Sequence, residues 1–213
     1  MTHITLNCQG LSCPQPVIQC KDAISQSQPD RLIIYVDNVA AKENVTRFLG
    51  SQGYQVVNVL DKDNVFELTA EADPDTIFST KDEASHPPGP SASYAPDSEP
   101  GIYAHLVFIT SNVIGHGDDA LGEKLMHNFM ATLPEMGPSL WRILLLNSGV
   151  RLAVDGSPAV PLLQKMEHNG VSILVCGTCL DFFHLLDRKQ VGETTNMLDV
   201  VTSLQLADKV IKI

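Results

Sequence analysis

No stretch of about 18 or more consecutive apolar residues occurs in the 213-residue chain, so no membrane-spanning helix is expected. There is also no cluster of Lys and Arg. With 14 basic against 25 acidic residues the formal charge is -11, which argues against nucleic acid as a ligand and against anionic membrane surfaces. The opening Met1-Thr2-His3-Ile4-Thr5-Leu6-Asn7 lacks the basic region and apolar stretch of a secretory signal. Cysteine is sparse and odd in number, five in all, so reduced thiols in a cytoplasmic protein are expected rather than a disulfide framework. A single C-x-x-C is too few ligands for a structural zinc, and no metal or bound cofactor is expected. No internal repeat is evident.

What is present is enough apolar residue, 44%, to bury a core, in a length that suits one large domain or two small ones. The break falls at residues 73–101. Six of the thirteen prolines and a net charge of -5 lie there, around His86-Pro87-Pro88-Gly89-Pro90-Ser91. Such a segment buries too little apolar surface to offset its ordering entropy and reads as a flexible, acidic linker. The expected domains are therefore residues 1–72 and 102–213.

The first domain reads as β-α-β-α-β-β. Strands are expected at Ile4 to Asn7, Arg31 to Asp37, Tyr54 to Leu60 and Asn64 to Ala70, the last two joined by a loop at Asp61-Lys62-Asp63. Helices are expected at Pro14 to Ser27 and Val39 to Gln52, giving a two-layer α/β sandwich. After the linker, apolar strands (Ala104 to Thr110, Trp141 to Asn147, Val171 to Val175, Lys209 to Ile213) alternate with helices. The helices are Asp119 to Leu133, with Leu121, Leu125, Phe129 and Leu133 at helical spacing, then Pro158 to Asn169, a short one after Cys179, and Met197 to Leu206. That alternation predicts a mainly parallel, doubly wound α/β sheet. Ligands of such sheets bind beyond the carboxyl ends of the strands, which places Thr110-Ser111-Asn112, Asn147-Ser148-Gly149 and Cys176-Gly177-Thr178-Cys179 on one rim.

Two thiol positions carry chemistry. Cys13 lies in Gly10-Leu11-Ser12-Cys13-Pro14-Gln15-Pro16. Proline is favoured at the first helical position, and Pro16 is still in the first turn, where a missing N–H costs little. Cys13 thus reads as the N-cap. Free N–H groups and the positive dipole end would favour a thiolate or persulfide anion there. The alternative is an inert cysteine behind a proline turn. Cys8 reads as a strand residue, with a disulfide to Cys13 as the alternative, and Cys20 reads as core beside Val17 and Ile24.

The second position is the C-x-x-C of Cys176 and Cys179, spaced by Gly177 and Thr178 between a strand and a helix. This is a known redox geometry, whose first thiol is usually the activated one. A dithiol reductase, a thiol carrier and an adaptor with incidental thiols all stay open on these residues. Gly115-His116-Gly117-Asp118-Asp119 reads as a helix cap rather than an anion site, because two carboxylates would repel phosphate. Asn112 and His116 are candidate rim residues near Cys176, and Arg142 and Arg151 are candidate counter-charges for a thiolate.

The segment Gly10-Leu11-Ser12-Cys13-Pro14-Gln15-Pro16-Val17 resembles the TusA-like (SirA-like) sulfur-carrier family, marked by Cys-Pro-X-Pro at the first helix start, over about residues 3–71. The resemblance implies a persulfide sulfur carried on Cys13. Asn7 stands where that family often has an aspartate, so it implies no proton-handling role there. Residues 102–213 resemble the DsrE/DsrF-like family, which places a sulfur-accepting cysteine after its third strand, here Cys176 with Cys179 as an extra thiol. The combination is similar to the YedF-type sulfurtransferase-like family of selenium metabolism. The resemblances imply a carrier that moves sulfur or selenium as a transient persulfide or selenosulfide from Cys13 to Cys176, with Cys179 resolving. They also imply a persulfide donor protein, a downstream acceptor protein and homo-oligomers through the second domain. A linker of about 29 residues spans roughly 30 Å, enough for the two cysteines to meet in one chain or between chains.

Overall fold

The computed structural model describes residues 2–62, 65–73 and 103–213. The chain divides into two compact units, the first holding the described residues up to Asp73 and the second those from Tyr103 onward. Of the segment read as a linker, only Asp73 is among the described residues, and its N–H donates to the Gly53 carbonyl at 2.8 Å.

The first unit runs β1 (His3–Asn7), α1 (Gln15–Ser27), β2 (Arg31–Val36), α2 (Val39–Ser51), β3 (Tyr54–Lys62) and β4 (Val65–Ala72). Its sheet has the order β1-β2-β4-β3, with β1 parallel to β2 and the other pairs antiparallel. Register explains the core. Leu32, Ile34 and Val36 pair directly with Ala70, Leu68 and Phe66, and directly paired side chains share a face. All six are buried, and Val17 and Cys20 of α1 with Val45, Phe48 and Leu49 of α2 supply the helical half of the core. Asn38 caps α2 by accepting the Ala41 N–H at 2.7 Å. Asp61 and Lys62, expected in a loop, instead end β3, paired with Phe66 and Val65; the ladder satisfies their backbone groups whatever their side-chain polarity. Asp63 and Asn64 lie outside the described residues.

The second unit holds β5 (His105–Ile109), α3 (Asp119–Thr132), β6 (Leu140–Leu145), α4 (Val160–His168), β7 (Ser172–Cys176), α5 (Gly177–Phe182), β8 (Glu193–Thr195), α6 (Met197–Leu206) and β9 (Lys209–Lys212). The five strands lie in the order β8-β7-β6-β5-β9, and every pairing is parallel. Alternate residues face opposite sides. Val107, Ile109, Ile143, Leu145, Ile173 and Val175 form one core with Met126 and Met130 of α3, Leu163 and Met166 of α4, and Leu180 of α5. Leu106, Leu144 and Leu174 face the other way, against Val200 of α6. Helices on both faces of a parallel sheet make the unit doubly wound, as the strand and helix alternation predicts. Each fully buried leucine contributes about 1.5–3 kcal/mol, so the sheet is a firm platform for its rim.

Two features differ from expectation. β8 is short and polar, and its Thr194 and Thr195 are buried, so no apolar run announces it. On α3, Leu121 and Leu125 are exposed (56% and 42%), and the buried stripe is Gly122, Met126 and Met130, continued by Leu133. Both stripes have helical spacing. Gly122 decides between them, because the helix is pressed so closely onto the preceding loop that a Cβ there would lie 2.9 Å from Val113 Cβ and 3.0 Å from the Ile114 oxygen.

Candidate functional site

The loop from β1 into α1 carries Cys13. Gly10 has φ +71°, a backbone state that glycine adopts without a Cβ penalty, and its N–H donates to the Asp37 carboxylate at the carboxyl end of β2. Asn7 Oδ1 accepts the Gln9 N–H, so position 7 is occupied in shaping this loop. The Cys13–Pro14 peptide bond is cis. Pro14, not Cys13, is the cap residue, and the helix begins at Gln15.

That shift changes the local chemistry. The first turn holds no free N–H donors for sulfur. Pro14 and Pro16 have none, Gln15 N–H donates to the Ser12 carbonyl at 2.9 Å, and Val17 and Ile18 N–H donate to the Pro14 carbonyl at 3.0 and 3.1 Å. Cys13 is exposed, and among the described residues no group hydrogen-bonds its Sγ. The expected nest of N–H groups around the thiol is therefore absent. The two prolines leave an accessible sulfur that a partner can approach without displacing a hydrogen bond. The other thiols of this unit are shut away. Cys8 is buried and its Sγ donates to Gln19 Oε1 at 3.2 Å, and burial raises its pKa. Cys20 is fully buried, which, with the neighbouring Cys8 as a smaller cause, pushes it up to about 12. All five cysteines are free thiols. Alkylation of the native chain at neutral pH is expected to mark Cys13 and Cys179 and to spare Cys8 and Cys20; peptide mass mapping that finds Cys20 modified without denaturant would contradict this burial.

In the second unit, Cys176 ends β7 and caps α5, and Cys179 lies within the first turn of that helix rather than ahead of it. The neighbouring strand β6 leads into a 3-10 segment, Asn147–Ala153. Asn147 sits in the left-handed region at φ +47°, a conformation asparagine tolerates better than most side chains. Its N–H donates to Cys179 Sγ at 3.2 Å. The hydrogen bond from Cys176 lowers the Cys179 pKa to about 6, the Asn147 N–H acts in the same direction, and burial opposes both. The donors thus converge on the second thiol of the motif, whereas the first, Cys176, is 5% exposed. Gly149 closes the rim beside Asn147; a Cβ on it would lie 2.7 Å from the Ile109 carbonyl oxygen at the end of β5. Sequence reading placed Asn147 on this rim but did not find its bond to Cys179. The available signal was an asparagine two residues before a glycine at a strand's carboxyl end.

The remaining candidates separate from the thiols. Arg142 stands near the amino end of β6, the opposite end from the rim. It is buried, donates to Ser172 Oγ at 3.1 Å and Ser203 Oγ at 2.7 Å, and lies over the Trp141 ring at 4.3 Å. It is a structural tie between β6, β7 and α6. Arg151 lies over the Phe183 ring at 4.6 Å, so its charge rests on an aromatic face just beyond α5. Asp118 caps α3 by accepting the Leu121 N–H at 2.8 Å, as the cap reading of that glycine-rich stretch predicts. Asn112 is half-buried and His116 exposed in the loop after β5. Gly177 is buried at the start of α5, and Thr178 is exposed on its first turn. Among the described residues no group of three or more His, Cys, Asp or Glu is placed to hold a metal ion, and no helix is long and apolar enough to cross a membrane.

Comparison with known proteins bears on the first unit. Residues 4–71 match the family described as Sulfurtransferase TusA. A SirA-like protein from Desulfitobacterium hafniense is 32% identical over 32% of this chain and 96% of its own, with a TM-score of 0.30. The ychN protein from E. coli is 17% identical over 51% of this chain and 98% of its own, with a TM-score of 0.41. No curated protein matches the chain.

Proposed function

Because residues 4–71 form a TusA/SirA-like sulfurtransferase domain, we propose that the chain is a sulfur carrier whose Cys13 holds a persulfide and hands its outer sulfur to the Cys176 and Cys179 pair. The observation that carries this reading is the exposure of Cys13 in a first turn stripped of N–H donors. A carrier sulfur must be attacked and must leave repeatedly, and a sulfur without hydrogen bonds is available for both steps. The other thiols of the same unit are buried, which directs the donor to one position.

The second unit is the receiver in this proposal. A thiol pair at the carboxyl end of a central parallel strand occupies the usual ligand position of such sheets. The strand order, with the cysteine after the unit's third strand, supports reading it as a DsrE-like module and the whole chain as a YedF-type fusion. Transfer is an exchange reaction. A receiving thiolate attacks the outer sulfur of the Cys13 persulfide, the S–S bond breaks, and Cys13 leaves as thiolate. Selenium takes the same path as a selenosulfide. A protein persulfide supplies the first sulfur, and a downstream acceptor removes it.

Loading the full chain with a protein persulfide donor tests the relay. Mass spectrometry is expected to find about +32 Da, one sulfur, first on Cys13 and later on the peptide holding Cys176 and Cys179. In a Cys13→Ser chain neither peptide should gain mass from that donor. Equal loading of the Cys13→Ser chain would sink the carrier role and favour a binding module whose thiols are incidental.

A further inference from the structure

The relay ends at a pair of thiols, and the pair is not symmetrical. Cys179 is half-buried and receives hydrogen bonds from the Asn147 backbone N–H, at 3.2 Å, and from the Cys176 thiol. Cys176 is sealed at 5% exposure, at the junction of β7 and α5, and spends its proton on its neighbour. A negative sulfur is best held where donors point at it, and an incoming persulfide reaches the more open thiol first.

Resting on the relay reading above, we propose that Cys179 is the receiving thiol and that Cys176 is a buried resolving thiol, so that the second unit does not merely store the sulfur but expels it as sulfide. In the first step the Cys179 thiolate attacks the outer sulfur of a donor persulfide, forming a Cys179 persulfide and releasing the donor thiolate. In the second step Cys176 attacks the inner sulfur, that of Cys179. The Cys176–Cys179 bond forms, the bond to the outer sulfur breaks, and that sulfur leaves as hydrosulfide. The Cys176 proton passes to water or to the leaving sulfur. The outer sulfur is reduced from the zero-valent state to sulfide by two electrons, and the two cysteines are oxidised together to a disulfide. An external dithiol reductant then returns both to thiols and completes the cycle.

The geometry supports each part. Residues one helical turn apart at i and i+3 lie on the same side of a helix start, so the resolving sulfur is adjacent to the receiving one. Asn147 holds its donor in place through its left-handed backbone, fixed by the Leu146 N–H bond to the Ile109 carbonyl at 2.9 Å on one side and Gly149 on the other. The same N–H stabilises the Cys179 thiolate before attack.

The experiment uses the full chain carrying Cys13→Ser, so that it does not depend on transfer from Cys13, and glutathione persulfide as the probe, whose leaving group is the glutathione thiolate rather than sulfide. With the pair intact, sulfide release and a disulfide between Cys176 and Cys179 should appear one for one, and dithiothreitol added after the donor has been removed should return both cysteines to thiols without further sulfide. With Cys176→Ser added, sulfide release should be lost and about +32 Da should accumulate on Cys179, located by fragment ions between Gly177 and Thr178. With Cys179→Ser instead, neither product should form. Mass accumulating on Cys176, undiminished sulfide release from the Cys176→Ser chain, or a pair that takes up no sulfur would each overturn the assignment. Circular dichroism confirms that each variant is folded; the stoichiometry in the intact pair tests the expulsion of sulfide, and the site of mass gain in the folded variants tests which thiol receives it. A failed transfer from Cys13 would show only in the protein-persulfide experiment, so the two proposals fail separately.

Discussion

At pH 6, Cys179 is expected to react with a small aromatic disulfide about tenfold faster than an ordinary free cysteine, and above about pH 7.5 the order should reverse. Two opposing effects set this result. Cys179 has its pKa lowered to about 6, chiefly by the Cys176 hydrogen bond, with the Asn147 N–H assisting against burial. At pH 6 about half of it is thiolate, against roughly 0.3% of a thiol of pKa about 8.5, an advantage of about 160-fold. Its intrinsic nucleophilicity is lower, because a Brønsted slope of about 0.4–0.5 over some 2.5 pH units costs about 10- to 18-fold. The ionisation advantage wins at low pH and disappears once the ordinary thiol also ionises. A rate profile measured from pH 5 to 9 on a chain with Cys13 replaced by Ser isolates the effect. A midpoint near 8.5 would mean that the donors do not act on this sulfur. The same ionisation contributes to stability. A thiol whose folded pKa is depressed stabilises the fold above its unfolded pKa and loses that contribution as pH falls through the folded one. The urea midpoint of the wild-type chain should therefore drop between about pH 9 and 6 by more than that of a Cys179→Ser chain.

Gly149→Ala should lower stability by about 1–3 kcal/mol and blunt the low-pH reactivity of Cys179 at the same time. The added Cβ would lie 2.7 Å from the Ile109 carbonyl oxygen and 3.3 Å from its carbon. Neither atom is the end of a flexible side chain. Relief requires the carboxyl ends of β5 and β6 to part, and Leu146 N–H already binds that same carbonyl at 2.9 Å. Asn147 lies between these two contacts, so its N–H is carried away from Cys179 as the rim opens. Urea unfolding reads the first effect and the pH 6 rate reads the second. An unchanged midpoint would show that the two loops yield at no cost. Loss of stability with an unchanged pH 6 rate would show that Asn147 is held independently of the β5 contact.

Much of the fold was legible along the chain. Among the described residues, apolar runs and helical periodicity located eight of the nine strands and the six helices near their observed places, because those patterns depend on which side of a local element must be buried. β8 escaped because its buried residues are threonines, which satisfy an edge position without an apolar signature. The stripe of α3 that faces inward was ambiguous for a different reason. Leucines and methionines both recur at helical spacing there, and only the approach of Gly122 to Val113 and Ile114 selects the methionine side.

The thiols divide along the same line. The sequence alone determined that Cys13 stands beside two prolines at a helix start and that Cys176 and Cys179 follow a buried strand, since both facts are relations between neighbours in the chain. Tertiary structure alone decided their surroundings. The N–H groups expected around Cys13 are spent on Ser12 and Pro14 carbonyls or removed by proline, while the donor that matters at Cys179 comes from Asn147, 32 residues away. Arg142, a plausible counter-charge by composition, is carried by its strand to the far end of the sheet. Residue type states what a group is able to donate or accept. Strand order and loop conformation determine where that capacity is pointed, because hydrogen bonds act only at contact distance and the contacts at this rim are made between strands.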